Sequence, residues 1–205
     1  MEWFRDFEQA KERVAYRLVN YEANRKLLED VPHVPFLNLA KVFYVAVYSE
    51  EFGNGSILIH NNHQQLWGVT TEELNEIATE NTPKLFPAEI LSMEEVLRKA
   101  APEMARSFDI PEQETPYMIS NMEKSYGAAV MCYPSIIKEL AERRQSDLII
   151  IPSSVHELLV LTYEEDIEAF RWMVRDVNAT QLQPEEVLAN SVYVYRRETN
   201  SISIA

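Results

Sequence analysis

The chain has 205 residues, 46% hydrophobic and 10% aromatic, a composition that builds a packed core rather than a disordered chain. Its 33 acidic residues against 19 basic ones leave a formal net charge of -14, which argues against a binder of nucleic-acid backbones, whose affinity rests on Lys and Arg neutralising phosphates. One cysteine, Cys132, excludes an internal disulfide, and no apolar run approaches the roughly 20 residues of a membrane span.

MEWFRDFEQA carries no basic-then-apolar leader, so the cytoplasm is the expected compartment and no membrane is expected as a partner. In EWFRDFEQAKERV, apolar residues at Phe4, Phe7, Ala10 and Val14 predict an amphipathic helix. VAYRLVNY, from Val14 to Tyr21, predicts a strand. NRKLLED predicts a short helix that ends at VPHVPF, where Pro32 and Pro35 impose an extended path. LAKVFYVAVYSE predicts a strand, and the glycines of EFGNGS turn it into SILIHN as a hairpin.

Helix starts are marked by the capping-box spacing, in which a hydroxyl satisfies a free amide and a carboxylate reaches back. Thr70 with Glu73, Ser92 with Glu95, and Thr162 with Glu165 all have it. After the third, Ile167, Phe170, Val174 and Val177 repeat at three and four, so TYEEDIEAFRWMVRDV predicts a long helix. PSIIKELAERR predicts another, with Pro134 near its first turn. YMISN and YGAAVMC read as strands, PEEVLA as a short helix, and VYVYRRETNSISI as a final strand or hairpin.

DLIIIP and ELLVLT are separated only by SSVH. That is too short for a parallel crossover, which takes a dozen or more residues, and predicts an antiparallel hairpin. The expected fold class is α+β, with a mainly antiparallel or mixed sheet and interspersed helices. RKAAPEMARSFDIPEQETP is rich in proline and acid, which makes 101–114 a candidate linker between subdomains 1–100 and 115–205. A single domain is the competing organisation.

Four glycines in the whole chain leave no room for a Walker loop or a dinucleotide fingerprint, and GxSxG does not occur. No cofactor is expected. HELLV, from His156 to Val160, lacks the second histidine of a zinc-protease helix. The same stretch keeps Ser153 and Ser154 as candidate nucleophiles, His156 as base and Glu157 as its orienter; the alternative is a hairpin connection whose hydroxyls bond backbone amides. His60 and His63 in ILIHNNHQQLW form a two-ligand metal seed or, more simply, a polar turn. Cys132 in AAVMCYP reads as a small buried hydrophobe. Trp67 and Trp172 either line a ligand pocket or anchor a core.

Several phrases carry a resemblance: LLEDVPHVPFLNLAKVFY, ILIHNNHQQLWGVTTEELNEIATENTPKLFP, YMISNMEKSYGAAVMCYP, IIIPSSVHELLVL and DVNATQLQPEEVLANSVYVY. Together they resemble an uncharacterised bacterial domain family common in gut Clostridia and related Bacillota. The resemblance implies that Asn121, Gly127, Pro152, Ser153, Ser154, His156, Glu157, Asn178, Glu186 and Leu188 match recurring family phrases. It transfers no chemistry. It does raise PSSVHE as a ligand or peptide site at a strand end, with Asn121 and Asn178 as ligand-contacting or structural residues; locally, Asn178 reads as a terminator of the long helix.

The expected function is a nonenzymatic cytoplasmic binding or protein-interaction module, with a protein partner or a second copy as the occupant. SISIA at the carboxyl end offers a strand for edge pairing. Two alternatives stand beside it: a small hydrolase using Ser153 or Ser154 with His156, and an acidic inhibitor that imitates nucleic acid in a basic protein groove.

Overall fold

The computed structural model describes residues 3–49, 53–105, 111 and 114–205. They fall into two compact units, Met1–Pro87 and Ala88–Ala205. Each is α+β, and every strand pair in both is antiparallel. Among the described residues no helix is long and apolar enough to cross a membrane.

In the first unit, strands β1 (Val14–Asn20), β2 (His33–Phe36), β3 (Leu39–Ser49) and β4 (Gly53–Leu58) form one sheet in which β3 pairs with all three others. The β3–β4 pair is the expected hairpin, although Glu50, Glu51 and Phe52 of its connection lie outside the described residues. The expected opening helix is broken into a 3-10 turn at Trp3–Arg5, α1 (Phe7–Ala10) and a second 3-10 turn at Lys11–Arg13. Val14 ends it because its buried side chain belongs to β1, opposite Val45. The Asn81 amide donates to the carbonyls of Lys11 and Val14 at that break.

Helices α2 (Arg25–Leu28), α3 (Asn61–Trp67) and α4 (Thr71–Leu85) complete the unit. Leu74, Ala78 and Thr82 recur every fourth residue on α4 and are all buried. Thr82 Oγ1 accepts the Tyr16 N–H of β1 at 3.0 Å, fixing the helix to the sheet. Val19, Leu28, Val31, Ala40 and Val42 form one apolar cluster, and Ala15, Tyr44 and Ala46 another.

The second unit is built on a six-stranded sheet of order β10-β9-β7-β8-β6-β5. Its strands are β5 (Ala88–Ser92), β6 (Tyr117–Asn121), β7 (Leu148–Pro152), β8 (Leu158–Thr162), β9 (Tyr193–Arg196) and β10 (Ser201–Ile204). Its helices are α5 (Met93–Ala100), α6 (Pro102–Ala105), α7 (Ile136–Arg144) and α8 (Ile167–Thr180). Residues 88–100, expected with the first subdomain, contribute β5, which pairs with β6 from Ala88↔Asn121 to Ser92↔Tyr117. The compact units therefore divide after Pro87, because pairing across the sheet outweighs the compositional break at 101–114. Of that stretch, 106–110 and 112–113 lie outside the described residues.

β7 is buried along its whole length, as an apolar strand covered on both faces should be. Ile149 and Ile151 pack with Val174 of α8 and with Val192, joined by Leu159, Ile167 and Phe170. YGAAVMC is not a strand: Gly127–Cys132 is a 3-10 turn packed against β6 and β8. The long helix begins at Ile167 rather than after a Thr162 cap. Thr162 is the last residue of β8, and the Asp166 carboxylate takes the cap by accepting the Ala169 N–H. PEEVLA shortens to a 3-10 turn at Pro184–Glu186.

Candidate functional site

The five residues 153–157 link β7 to β8 without being strand themselves. The Ser153 and Ser154 amides both donate to the Glu157 carbonyl, at 3.1 and 3.3 Å, which closes the connection tightly. Ser154, 8% exposed, turns its hydroxyl inward to accept the His156 N–H at 3.0 Å. The Ser153 hydroxyl points the other way and donates to Glu157 Oε1 at 3.3 Å.

Two further segments are stitched to this connection. From the β6 side, Ser120 Oγ donates to the His156 carbonyl at 2.7 Å, and Tyr126 N–H donates to His156 Nδ1 at 3.1 Å. Ala128 N–H reaches the Val155 carbonyl. Asn121, 3% exposed, holds the intervening turn: its amide donates to the Ser125 carbonyl and its Oδ1 accepts the Ser125 N–H. From the other side, Val155 N–H donates to the Glu186 carbonyl at 2.8 Å, while the Glu186 carboxylate accepts the Gln183 N–H. Asn121, Ser120, Ala128, Ser154, His156 and Glu186 are thus parts of one hydrogen-bonded junction.

That junction bears on the serine–histidine pairing. Because Nδ1 of His156 accepts a backbone N–H, the neutral ring carries its proton on Nε2, so neither ring nitrogen is an open acceptor for a serine proton. Among the described residues neither serine hydroxyl is hydrogen-bonded to the imidazole, and the ring packs at a tilt against Tyr126, centroids 5.5 Å apart.

Ser153 and Glu157 instead face a cleft of about 200 Å³ between α8 and the β6-β8-β7 face of the sheet. Its walls are Ile151, Pro152, Leu158 and Leu159 from the hairpin, Met118 from β6, Met93 at the start of α5, and Met173, Val174 and Val177 from α8. Asn178 completes the lining. Its amide donates to the Ala189 carbonyl at 3.0 Å and to Asn190 Oδ1 at 2.8 Å, so it ties the helix to a segment eleven residues on rather than terminating the helix locally. At the surface of α8, Trp172 is 70% exposed. The three methionines escaped the sequence reading because they come from three distant elements and carry no shared local pattern.

His60 and His63 lie in the first unit and cap a helix instead of occupying a turn. His60 is the N-cap of α3, and its N–H donates to Nδ1 of His63 at 3.2 Å, an imidazole version of the capping box. His60 Nδ1 is itself paired with Asp30 Oδ2 at 2.7 Å. Among the described residues no group of three or more His, Cys, Asp and Glu side chains is arranged to hold a metal ion. Burial first, and then the neighbouring His60, lower the His63 pKa from its ordinary 6.5. Trp67 is anchored: its indole N–H donates to the Phe4 carbonyl at 2.9 Å, and its ring packs against Phe4, Phe7 and His63. Cys132 is half-buried and is not in a disulfide.

Comparison with curated proteins finds no match, and comparison with solved structures finds none either. Residues 1–197 match one family model, nearly the full length of the chain, so the protein belongs to the family of unknown function DUF5688.

Proposed function

We propose that the chain is a nonenzymatic binding module whose second unit receives an apolar group in the cleft beneath α8. The observation that carries this reading is the lining: an almost wholly apolar wall, three methionines among it, with Ser153, Glu157 and Asn178 as the polar groups. Methionine is unbranched and polarisable and adapts to varied apolar shapes, which suits a receiving surface. At about 200 Å³ the cleft is below the roughly 300–1,000 Å³ of pockets for drug-sized ligands, and fits an alkyl chain or one bulky side chain of a protein partner. The use of His156 Nδ1 as a backbone acceptor supports a structural role for PSSVHE over a nucleophilic one.

The test is a titration with 1-hexanol, followed by the methyl resonances of methionine labelled with carbon-13. Saturable shifts at Met93, Met118 and Met173, with exposed Met122 unmoved, are expected. Met173→Trp, which places a ring at the mouth, should weaken the response. Methyl resonances that stay fixed, or that all drift linearly together, would remove the reading.

A further inference from the structure

Glu157 is a charged side chain, only partly exposed, on the wall of an apolar cleft. Its hydrogen-bond partner there is the Ser153 hydroxyl at 3.3 Å, a long contact for a carboxylate, which accepts up to about four. Among the described residues no Lys, Arg or His forms an ion pair with it, and no cationic side chain lines the cleft. A carboxylate drawn into apolar surroundings is ordinarily paired.

The other polar linings have the same bias. Asn178 spends its amide hydrogens on Ala189 and Asn190, so what it can offer a ligand is its carbonyl oxygen. Ser153 offers hydroxyl lone pairs. The polar inventory is therefore a carboxylate, an amide oxygen and a hydroxyl whose proton is already given to Glu157, so each has lone pairs to offer, within a chain of net charge -14. An ammonium group supplies three donors and one positive charge, matching that set in number and sign.

We infer that the cleft takes a primary alkylammonium: an apolar chain lying against the methionines, with its cationic nitrogen against Glu157 beside the Ser153 hydroxyl. This rests on the cleft being a binding site for apolar groups, as proposed above. Neutral alcohols would bind by the chain alone, and carboxylates of equal length would be repelled.

Hexylammonium, 1-hexanol and hexanoate are titrated separately into the intact chain and into Glu157→Gln, with methionine methyl shifts as readout and thermal unfolding to verify that the variant is folded. In the native chain hexylammonium should bind roughly five- to tenfold more tightly than hexanol, with hexanoate weakest. In Glu157→Gln the ammonium preference should vanish, so that hexylammonium binds no more tightly than hexanol does to the same variant. Ser153→Ala should keep the preference, since Glu157 remains. Equal binding of hexanol and hexylammonium to the native chain would overturn the ammonium inference and leave the apolar cleft standing. A preference that survives in Glu157→Gln would also overturn it, assigning the selectivity to the overall negative field. If none of the three moves the cleft methyls, both readings fall.

Discussion

Gly127 lies so close to the backbone of His156 that no side chain fits between them: a Cβ on Gly127 would stand 2.5 Å from the His156 carbonyl oxygen. The same atom would collide with Ser120 Oγ and lie 2.6 Å from the Asn121 nitrogen. Two of those three neighbours are backbone and cannot swing aside. Gly127→Ala should therefore cost about 1–3 kcal/mol, the range for overpacking a filled interior. The urea midpoint of unfolding measures it, and an unchanged midpoint would mean that the β6 connection is not pressed against the hairpin as described.

The two neighbouring serines should separate cleanly. Ser154→Ala removes the acceptor for the His156 N–H in a buried position, at a cost of about 1–2 kcal/mol. Ser153→Ala removes a long contact to a partly exposed carboxylate and should change stability by less than about 0.5 kcal/mol. Thermal unfolding of both variants gives the order. A costlier Ser153→Ala would contradict the inward orientation of Ser154.

The two capping boxes headed by a hydroxyl predict the same magnitude. Thr70 Oγ1 accepts the Glu73 N–H while Glu73 accepts the Thr70 N–H, and Ser92 and Glu95 repeat the exchange. Thr70→Ala and Ser92→Ala should each lose about 1 kcal/mol in denaturant unfolding. Asp166→Ala, at the start of α8, should lose a similar amount, since its carboxylate accepts the Ala169 N–H. No loss in Asp166→Ala would return the cap of that helix to another residue.

Acid should weaken the first unit through His63. Its folded pKa lies below the ordinary 6.5 because burial, and then His60, disfavour the charged ring. Between those two values the unfolded chain binds more protons than the folded one, so stability rises with pH there. The contribution is fully present above about pH 6.5 and is lost as pH falls through the folded value. Protonation also takes Nδ1 away from the His60 N–H. His63→Gln keeps an acceptor at that capping position and removes the titration. Its unfolding temperature should decline less between pH 7 and pH 5 than that of the native chain; equal declines would assign the acid sensitivity to other groups.

What was legible in the sequence is what short-range bonding decides. Thr70 and Ser92 lie three residues from their carboxylates, so their caps can be read directly. LIIIP and LLVLT are so close that only an antiparallel return can join them, and their register from Leu148↔Thr162 to Pro152↔Leu158 is that return. The α+β class follows from such local signals. Tertiary structure decided the rest wherever a long-range partner outweighed a local preference. β5 joins the second sheet because it pairs with β6, across the proline-rich stretch that composition marks as a break. GAAVMC has strand-like composition but coils into a 3-10 turn, since Gly127 must pass against His156 and Ser120. His60 reads as a turn residue or a metal ligand, yet its backbone N–H meets the His63 ring and its own ring meets Asp30, thirty residues away. The cleft is the extreme case: Met93, Met118, Glu157 and Met173 come from four separate stretches, and only the packing of α8 on the sheet brings them to one wall.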